Sequence, residues 1–477
     1  MTMQLESAVT AYLQGLTFEL PLDDLIADCN WQETQHSVEK SIENWKRLLA
    51  LGLLNHFHGG SSQALSAKIY QFERHSWNQK SQYFRTLLVL NHLLAGLPLL
   101  EVTPHLLKGG AALFELEEFR PWLSAPSMPH HIEYGIWLCT LALMTQRQDL
   151  RETALQLVRW HINTLDYHYK PFLGLFVQEE AFDTNQSLLL YYLLFKGATL
   201  LCDDPEIHAV TAKLYVFQSN SSNTDLLWVL FERLFEKGKA VPSLDISHIT
   251  PSQSIYDPST ALIGYRSPRG HAVCSLHGNR TGLGTLRFDD VEFVNYGPQY
   301  LPLGECQGFG ILGNSLSDQG ERTPLMQVYP QGFTMKGCVR LIDQPCTFQD
   351  INEREYTGVW LELEQEFKFP VLDLQVRLLS LDGWEGIALS FFVKARCCRI
   401  GATQLVPRSF DKYQGKVENL IFEGDKGSCL LKAPHSKAEL QVIPLAGNQS
   451  FWGADFLIAY TLHSDQRCYQ WQIAKQS

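Results

Sequence analysis

The sequence predicts an α+β multidomain protein in which an α-helical domain precedes an antiparallel β-sandwich domain. The main observation is a change in the spacing of apolar residues near residue 250. Before this point apolar side chains recur at helical intervals, and after it they alternate with polar side chains, as in half-buried strands. A second observation is that residues 237–258 contain three prolines and no sustained period, which is typical of a linker. We therefore predict domains at 1–245 and 246–477.

Helix-length apolar stretches, separated by short turns containing Gly, Pro or Asp, fill the first domain. A separate helical arm is predicted at the N-terminus. Short connections favour antiparallel neighbours, so successive helical hairpins can form an open bundle or close into a toroid-like α/α ring. The clearest predicted helices are Tyr83–Leu97, Ile132–Met144, Thr153–Leu165, Gln186–Leu201 and Asp225–Lys237.

The second domain supplies alternating runs instead. In Val359–Phe367 apolar and acidic residues occupy opposite faces, as a half-buried antiparallel strand requires. Leu372–Leu378 repeats the pattern, and Ile387–Ala395 and Ala438–Ile443 are further predicted strands. When a helical body is followed by a β body, we expect a ligand site in the cleft between them.

Composition excludes several classes of partner. The chain has 477 residues, of which 45% are hydrophobic and 19% are charged, enough apolar material for two cores. A formal net charge of −12 and a pI near 5.7 argue against a nucleic-acid or anionic-membrane partner, since both normally require a basic surface. The pattern leaves the oligomeric state open.

The cysteines and the N-terminus bear on metal binding and localisation. The 11 cysteines show no CxxC or Cys/His metal spacing, so we expect reduced thiols, no metal and no cofactor. The N-terminus lacks the basic residues and apolar core of a secretory signal, and the sequence has no 18-residue apolar run. The chain as given is predicted to be cytoplasmic, or periplasmic or secreted if a signal was removed.

The first candidate site lies at the start of a predicted helix, where Pro129 is followed by His130, His131 and Glu133. Adjacent residues on a helix point about 100° apart, so at most one of the two histidines can face a given cleft. The functional interpretation is a catalytic base with substrate contacts. The alternative is a pair of surface or capping histidines.

The second candidate cluster begins at Glu179 and continues through Asn185 to Tyr191 and Tyr192. Asn185 and Tyr192 share one face of the predicted helix by the i, i+3, i+4, i+7 rule. A phenol with a lowered pKa can transfer a proton, whereas an ordinary tyrosine here packs in the core.

The third candidate region follows the linker. Arg266 lies just after the linker, and further on a predicted strand ends at a glycine-rich polar loop that carries His277, Asn279 and Arg280. Backbone and side chains in such a loop can both approach a ligand. The alternative is a glycine-containing hairpin turn.

Taken together, these segments resemble the heparinase II/III-like polysaccharide lyases. His130-His131 is similar to the Asn-His pair of that family, with His130 in place of the Asn. His277-Gly278-Asn279-Arg280-Thr281 is similar to the H-x-H-x-D element, with the second His and the Asp replaced. The resemblance implies an α/α toroid followed by an antiparallel β-sandwich, with the active site between them. The replaced residues help to form a metal or substrate site in relatives, so the resemblance does not imply metal binding here and leaves loss of activity as an alternative.

The implied reaction is β-elimination on a uronic-acid-containing oligo- or polysaccharide. The resemblance implies that Asn185 or Arg280 neutralises the substrate carboxylate, that His131 or His277 removes the C5 proton, and that Tyr192 or Tyr191 protonates the leaving oxygen. Substrate contacts are predicted for His130, Glu133, Glu179, Arg266 and Asn279.

Two other functions fit the same sequence. One is a catalytically degenerate relative that binds glycan or acts as a scaffold, which the altered H-x-H-x-D element favours. The other is a glycoside hydrolase on the same helical ring that uses Glu133 and Glu179 as its paired carboxylates.

Overall fold

The structure combines helices in the first half of the chain with two antiparallel sheets in the second, as the change of apolar spacing predicts. The computed structural model describes residues 9–12, 22–29, 31, 38–58, 62–76, 82–97, 128–172, 184–218, 226–236, 249–258, 261–275, 283–300, 324–342, 356–382, 387–433, 439–445, 453–463 and 465–476.

Each of the five predicted helices coincides with a helix of the structure, with ends shifted by a few residues. None of the described helices combines the length and apolar character needed to span a membrane. The helices are α1 Leu22–Asp28, α2 Val38–His58, α3 Gln63–Ser76, α4 Gln82–Leu94, α5 Met128–Thr145, α6 Gln148–Ile162, α7 Thr184–Thr199, α8 Pro205–Gln218 and α9 Leu226–Glu236.

The helix α5 is the most completely buried of these. Every described side chain from 131 to 142 is buried, because the sequence is apolar on all sides of the helix rather than on one stripe. Gly135 allows the neighbouring helices to approach closely, since a Cβ atom there would lie 2.5 Å from Leu194 Cδ1 and 2.6 Å from Leu157 Cδ2. The helix α5 therefore packs directly against both α6 and α7.

The strands form two nine-stranded sheets. They are β1 Ser254–Asp257, β2 Leu262–Ser267, β3 Gly270–Ser275, β4 Gly284–Phe288, β5 Val291–Tyr300, β6 Leu325–Tyr329, β7 Gly332–Ile342, β8 Tyr356–Lys368, β9 Val371–Asp382, β10 Ile387–Lys394, β11 Cys397–Ile400, β12 Thr403–Leu405, β13 Tyr413–Gly415, β14 Asn419–Glu423, β15 Ser428–Lys432, β16 Leu440–Pro444, β17 Phe456–Thr461 and β18 Cys468–Gln476.

The first sheet has the order β1-β2-β3-β4-β5-β10-β17-β16-β13, and the second has the order β12-β11-β14-β15-β18-β9-β8-β7-β6. Neighbouring strands pair antiparallel, for example β5 with β10 and β9 with β18. The alternation in the predicted strand 359–367 is confirmed, because Val359, Leu361, Leu363 and Phe367 are buried in β8 while its acidic residues are at least partly exposed. Trp360 is half-buried and lies on the acidic face.

One apolar core contains side chains from both sheets. It includes Tyr296 and Phe391 from the first sheet and Phe367 and Trp471 from the second. The phenol of Tyr296 donates a 2.6 Å hydrogen bond to the amide oxygen of Gln365, which is completely buried in β8. The two sheets are therefore joined by a shared interior that is mostly aromatic and aliphatic.

The chain divides into two compact units, residues 1–161 with 185–249 and residues 162–184 with 250–477. The first is helical, and the second contains both sheets. The predicted domain limits at 1–245 assign residues 162–184 to the helical domain, whereas their contacts group them with the sheets. The reason is that this segment is bonded to side chains of β2 and β4, as described below. Closure of the helices into a toroid stays a prediction.

Candidate functional site

Three helices of the first unit bring two histidines and a tyrosine together. Only two residues connect α5 to α6, so the two helices form a hairpin. The first turn of α5 then lies beside the last turn of α6. His131 and His161 occupy these turns, with His131 Nδ1 2.9 Å from His161 Nε2. The ring of Tyr191, from α7, meets the ring of His161 edge-on at a centroid distance of 5.7 Å.

Burial keeps both imidazoles of this group neutral. It lowers the pKa of His131 to about 3. It also lowers the pKa of His161 well below the ordinary value, with a further contribution from the neighbouring His131. The short contact between two neutral rings is satisfied when one ring nitrogen donates its proton to the lone pair of the other. A neutral imidazole is the form that can accept a proton from a substrate.

The adjacent tyrosines on α7 face different neighbours. Tyr191 faces His161, whereas the ring of Tyr192 lies 5.6 Å from that of Tyr215 on α8. Burial, followed by the negative charge of Glu232, raises the pKa of Tyr192. Of the predicted catalytic residues, His131 and Tyr191 therefore share His161 as a neighbour, whereas Tyr192 is buried and faces Tyr215.

The carboxylate of Glu133, a predicted substrate contact, accepts hydrogen bonds inside the helical unit. One carboxylate oxygen accepts a 2.7 Å hydrogen bond from Lys46 Nζ on α2, and the other accepts a 2.7 Å bond from the phenol of Tyr83 on α4. The Glu133 side chain is 3% exposed and that of Lys46 is 20% exposed. This carboxylate thus links three helices through charge-assisted hydrogen bonds.

Arg266, the predicted substrate contact in the β unit, is also buried. Its Nε donates to the carbonyl of Ser252 at 2.7 Å. Its Nη1 donates to the carbonyls of Ile162 and Leu165, at 2.7 Å and 2.5 Å. Three backbone carbonyls therefore accept from this one guanidinium, including the carbonyl of the last residue of α6.

The other predicted site residues are described only in part or not at all. His277, Asn279, Arg280 and Glu179 lie outside the described residues. His130 lies in α5 and Asn185 in α7, but their side chains are outside the described part. Their predicted roles stay predictions.

His161 was missed by the sequence analysis, although it touches both His131 and Tyr191. His161 could have been selected from its position, because His131 and His161 lie at similar distances from the short turn between α5 and α6. Residues placed in this way come together when two helices form a hairpin. No group of three or more His, Cys, Asp or Glu among the described residues has the geometry to hold a metal ion.

The fold of the chain is similar to that of a xanthan lyase. A xanthan lyase from Paenibacillus aligns with 99% of this chain at a TM-score of 0.51 and 8% sequence identity, and this chain covers 57% of that protein. A heparan sulfate lyase mutant from Pedobacter heparinus aligns with 100% of the chain at a TM-score of 0.33 and 9% identity, with 84% of that protein covered. A chondroitinase AC lyase aligns with 99% at 0.38 and 9%, with 83% covered.

The sequence itself matches no protein-family model and no curated protein. At 8% identity the likeness to the xanthan lyase concerns the fold, and it leaves the chemistry to be argued from this chain's own residues.

Proposed function

We propose that this protein is a carbohydrate-active, polysaccharide-lyase-like protein that cleaves a uronic-acid-containing glycan by β-elimination. The observation that carries the proposal is the group formed by His131, His161 and Tyr191, in which His161 contacts both a proton acceptor, His131, and a proton donor, Tyr191. The lyase-like fold supports the same class of reaction. The chain spans 57% of the xanthan lyase it resembles, so activity and substrate are proposed for this chain on its own residues.

The reaction needs three functions in one place. The substrate carboxylate must be neutralised so that the C5 proton becomes acidic, a base must remove that proton, and an acid must protonate the oxygen that leaves C4. In the proposal, the neutral imidazole of His131 is the base, with His161 holding its ring in place. The phenol of Tyr191 is the acid, and neutralisation falls to Asn185 or Arg280, as predicted from the sequence.

A second candidate function is glycan binding without catalysis. It is favoured by the burial of the same group, since His131 is 1% exposed, His161 is completely buried and Tyr191 is 3% exposed. A substrate proton must come within hydrogen-bond distance of the base, so catalysis requires an opening that uncovers His131. The hydrolase interpretation loses support because both oxygens of Glu133 already accept hydrogen bonds from Lys46 and Tyr83.

The test is a panel of uronate polymers, read both by the ultraviolet absorbance of unsaturated products and by reducing ends. New absorbance identifies a lyase. Reducing ends without absorbance identify a hydrolase, and binding without either identifies a glycan-binding protein. The second and third outcomes would each refute the proposed β-elimination.

Four variants then assign the roles. His131→Gln and Tyr191→Phe are each expected to lower the rate of elimination by about 100-fold or more, the usual effect of removing a general base or acid. Tyr192→Phe is expected to retain activity, because its ring faces Tyr215. Tyr70→Phe, on the exposed surface of α3, is the control. Unchanged rates in the first two variants would contradict the assignment, provided that their circular dichroism matches the parent.

A further inference from the structure

A short segment of the β unit is fastened to the face of the first sheet. We call residues 163–172, which follow α6, the strap. Arg266 on β2 donates to the carbonyl of Leu165 at 2.5 Å, and Arg287 on β4 forms a 3.0 Å ion pair with Asp166. The Asp166 side chain is 2% exposed and that of Arg287 is 20% exposed, so this pair is largely removed from water.

The strap has its own internal structure. Asp166 Oδ1 accepts from the backbone amides of His168 and Lys170, at 2.7 Å and 2.9 Å. The amide of Asp166 donates to the carbonyl of Lys170, and the amide of Phe172 donates to the carbonyl of Thr164. The strap is therefore a turn closed by its own hydrogen bonds. Opening means that the turn leaves the sheet and these bonds break, so the amides of Asp166 and Phe172 report the opening.

His271 on β3 lies beneath the strap. The strand register pairs it with Arg266 on one side and with Arg287 on the other, so the three side chains share one face of the sheet. Its ring lies 4.5 Å from the ring of Phe172. The side chain is 1% exposed, and neither ring nitrogen has a hydrogen-bond partner among the residues that the structure describes.

A buried imidazole in this position cannot carry a proton while the strap is closed. Desolvation holds the pKa of His271 well below its usual range, and the positive charges of Arg287 and then Arg266 lower it further. Uptake of a proton would place a third positive charge between two guanidinium groups without an acceptor for either N–H.

A carboxyl also lies on this part of the sheet, since Glu292 on β5 is paired in register with Arg287. The charges that act on Glu292 include Asp166 and Lys170 on the strap and Lys394 on β10. Burial raises the pKa of Glu292, so this carboxyl favours the closed form on acidification, with the opposite sign to His271. The variant His271→Leu keeps Glu292 and therefore separates the two contributions.

We propose that the strap is an acid-released device, in which His271 takes up a proton only when residues 163–172 lift from the sheet. Above neutral pH the imidazole is neutral in both forms and the strap stays closed. As the pH falls through the value at which a solvated imidazole titrates, the open form alone gains the proton and becomes more populated. This inference is independent of the catalytic proposal and concerns the β unit alone.

The expected size of the effect follows from the titration of a free imidazole. With a pKa of about 6.5 for His271 in the open form, lowering the pH from about 7.5 to about 5 raises the opening equilibrium constant about 30-fold. The closed form contributes nothing to this change because it does not bind the proton in that range.

The experiment is amide hydrogen exchange on the full chain at both pH values, with each rate divided by the intrinsic rate at that pH. We expect protection of the Asp166 and Phe172 amides to fall about 30-fold in the parent and to change less than about threefold in His271→Leu. His92→Leu, at a buried histidine of the helical unit, is the control and should behave like the parent.

Two results would overturn the proposal. One is a parent whose protection factors do not change with pH, and the other is a His271→Leu variant that keeps the full pH response. Phe172→Ala gives a second test if His271→Leu does not fold. It should raise opening at both pH values and keep the 30-fold ratio between them, and a lost ratio would also overturn the proposal.

Discussion

The ion pair inside the helical unit leads to an asymmetric prediction for its two partners. Lys46→Met leaves the carboxylate of Glu133, which is 3% exposed, without its cation. Breaking a buried ion pair by removing one partner typically costs about 3–5 kcal/mol, and the hydrogen bond from Tyr83 remains, so we expect a loss of about 3 kcal/mol. Glu133→Gln leaves Lys46, which is 20% exposed and can turn its ammonium to water, so about 1–2 kcal/mol is expected.

The assay is urea unfolding at neutral pH, followed by the helical circular dichroism signal. The double variant Lys46→Met/Glu133→Gln completes the cycle, and it should be more stable than Lys46→Met alone because no unpaired charge is left behind. Tyr70→Phe on the exposed face of α3 serves as the control. Equal costs for the two single variants, or a cost below about 1 kcal/mol for Lys46→Met, would refute the argument.

Three further predictions concern other buried groups. Arg266→Met removes the donor for three backbone carbonyls and should cost about 3 kcal/mol, measured by urea unfolding of the β unit. His131 has a pKa lowered to about 3, so its contribution to stability is full above pH 6.5 and declines below it. The expected loss between neutral pH and pH 5 is about 2 kcal/mol, and His131→Leu should make the unfolding free energy less dependent on pH in this range. Gly135→Ala places a Cβ within 2.6 Å of Leu157 and Leu194 atoms, so overpacking should outweigh the better helix propensity. We expect the free energy of unfolding, measured by urea unfolding of the helical signal, to fall by about 1–2 kcal/mol.

The elements were predictable because the apolar period is a local property of the chain. The stretch 132–144 lies within α5, and the stretch 359–367 lies within β8. A pattern of this length shows whether a helix or strand buries one face or all faces, and it can be recognised from neighbouring residues alone. The segment after α6 was predicted less well, because residues 163–172 have neither period and are held by Arg266 and Arg287, about 100 positions later.

The site was predictable only in part, for a geometric reason. His131 and Tyr191 were selected as a histidine at a helix start and a tyrosine on an apolar helix. Their common neighbour His161 is 30 residues from one and 30 from the other, and it becomes visible only when α5 and α6 are folded into a hairpin. Which of two adjacent tyrosines faces the histidines depends on the rotation of α7, and the even apolar character of that helix leaves its rotation open.

The strand order leaves sheet edges unpaired while the chain is being synthesised. The strand β18, latest in the sequence among the described strands, lies between β15 and β9 in the interior of the second sheet. Until residues 468–476 have left the ribosome, both neighbours present unpaired backbone edges, which are prone to pair with other chains. A nascent β unit is therefore exposed to aggregation from the completion of β9 until β18 emerges, and a truncation before β18 would make this exposure permanent.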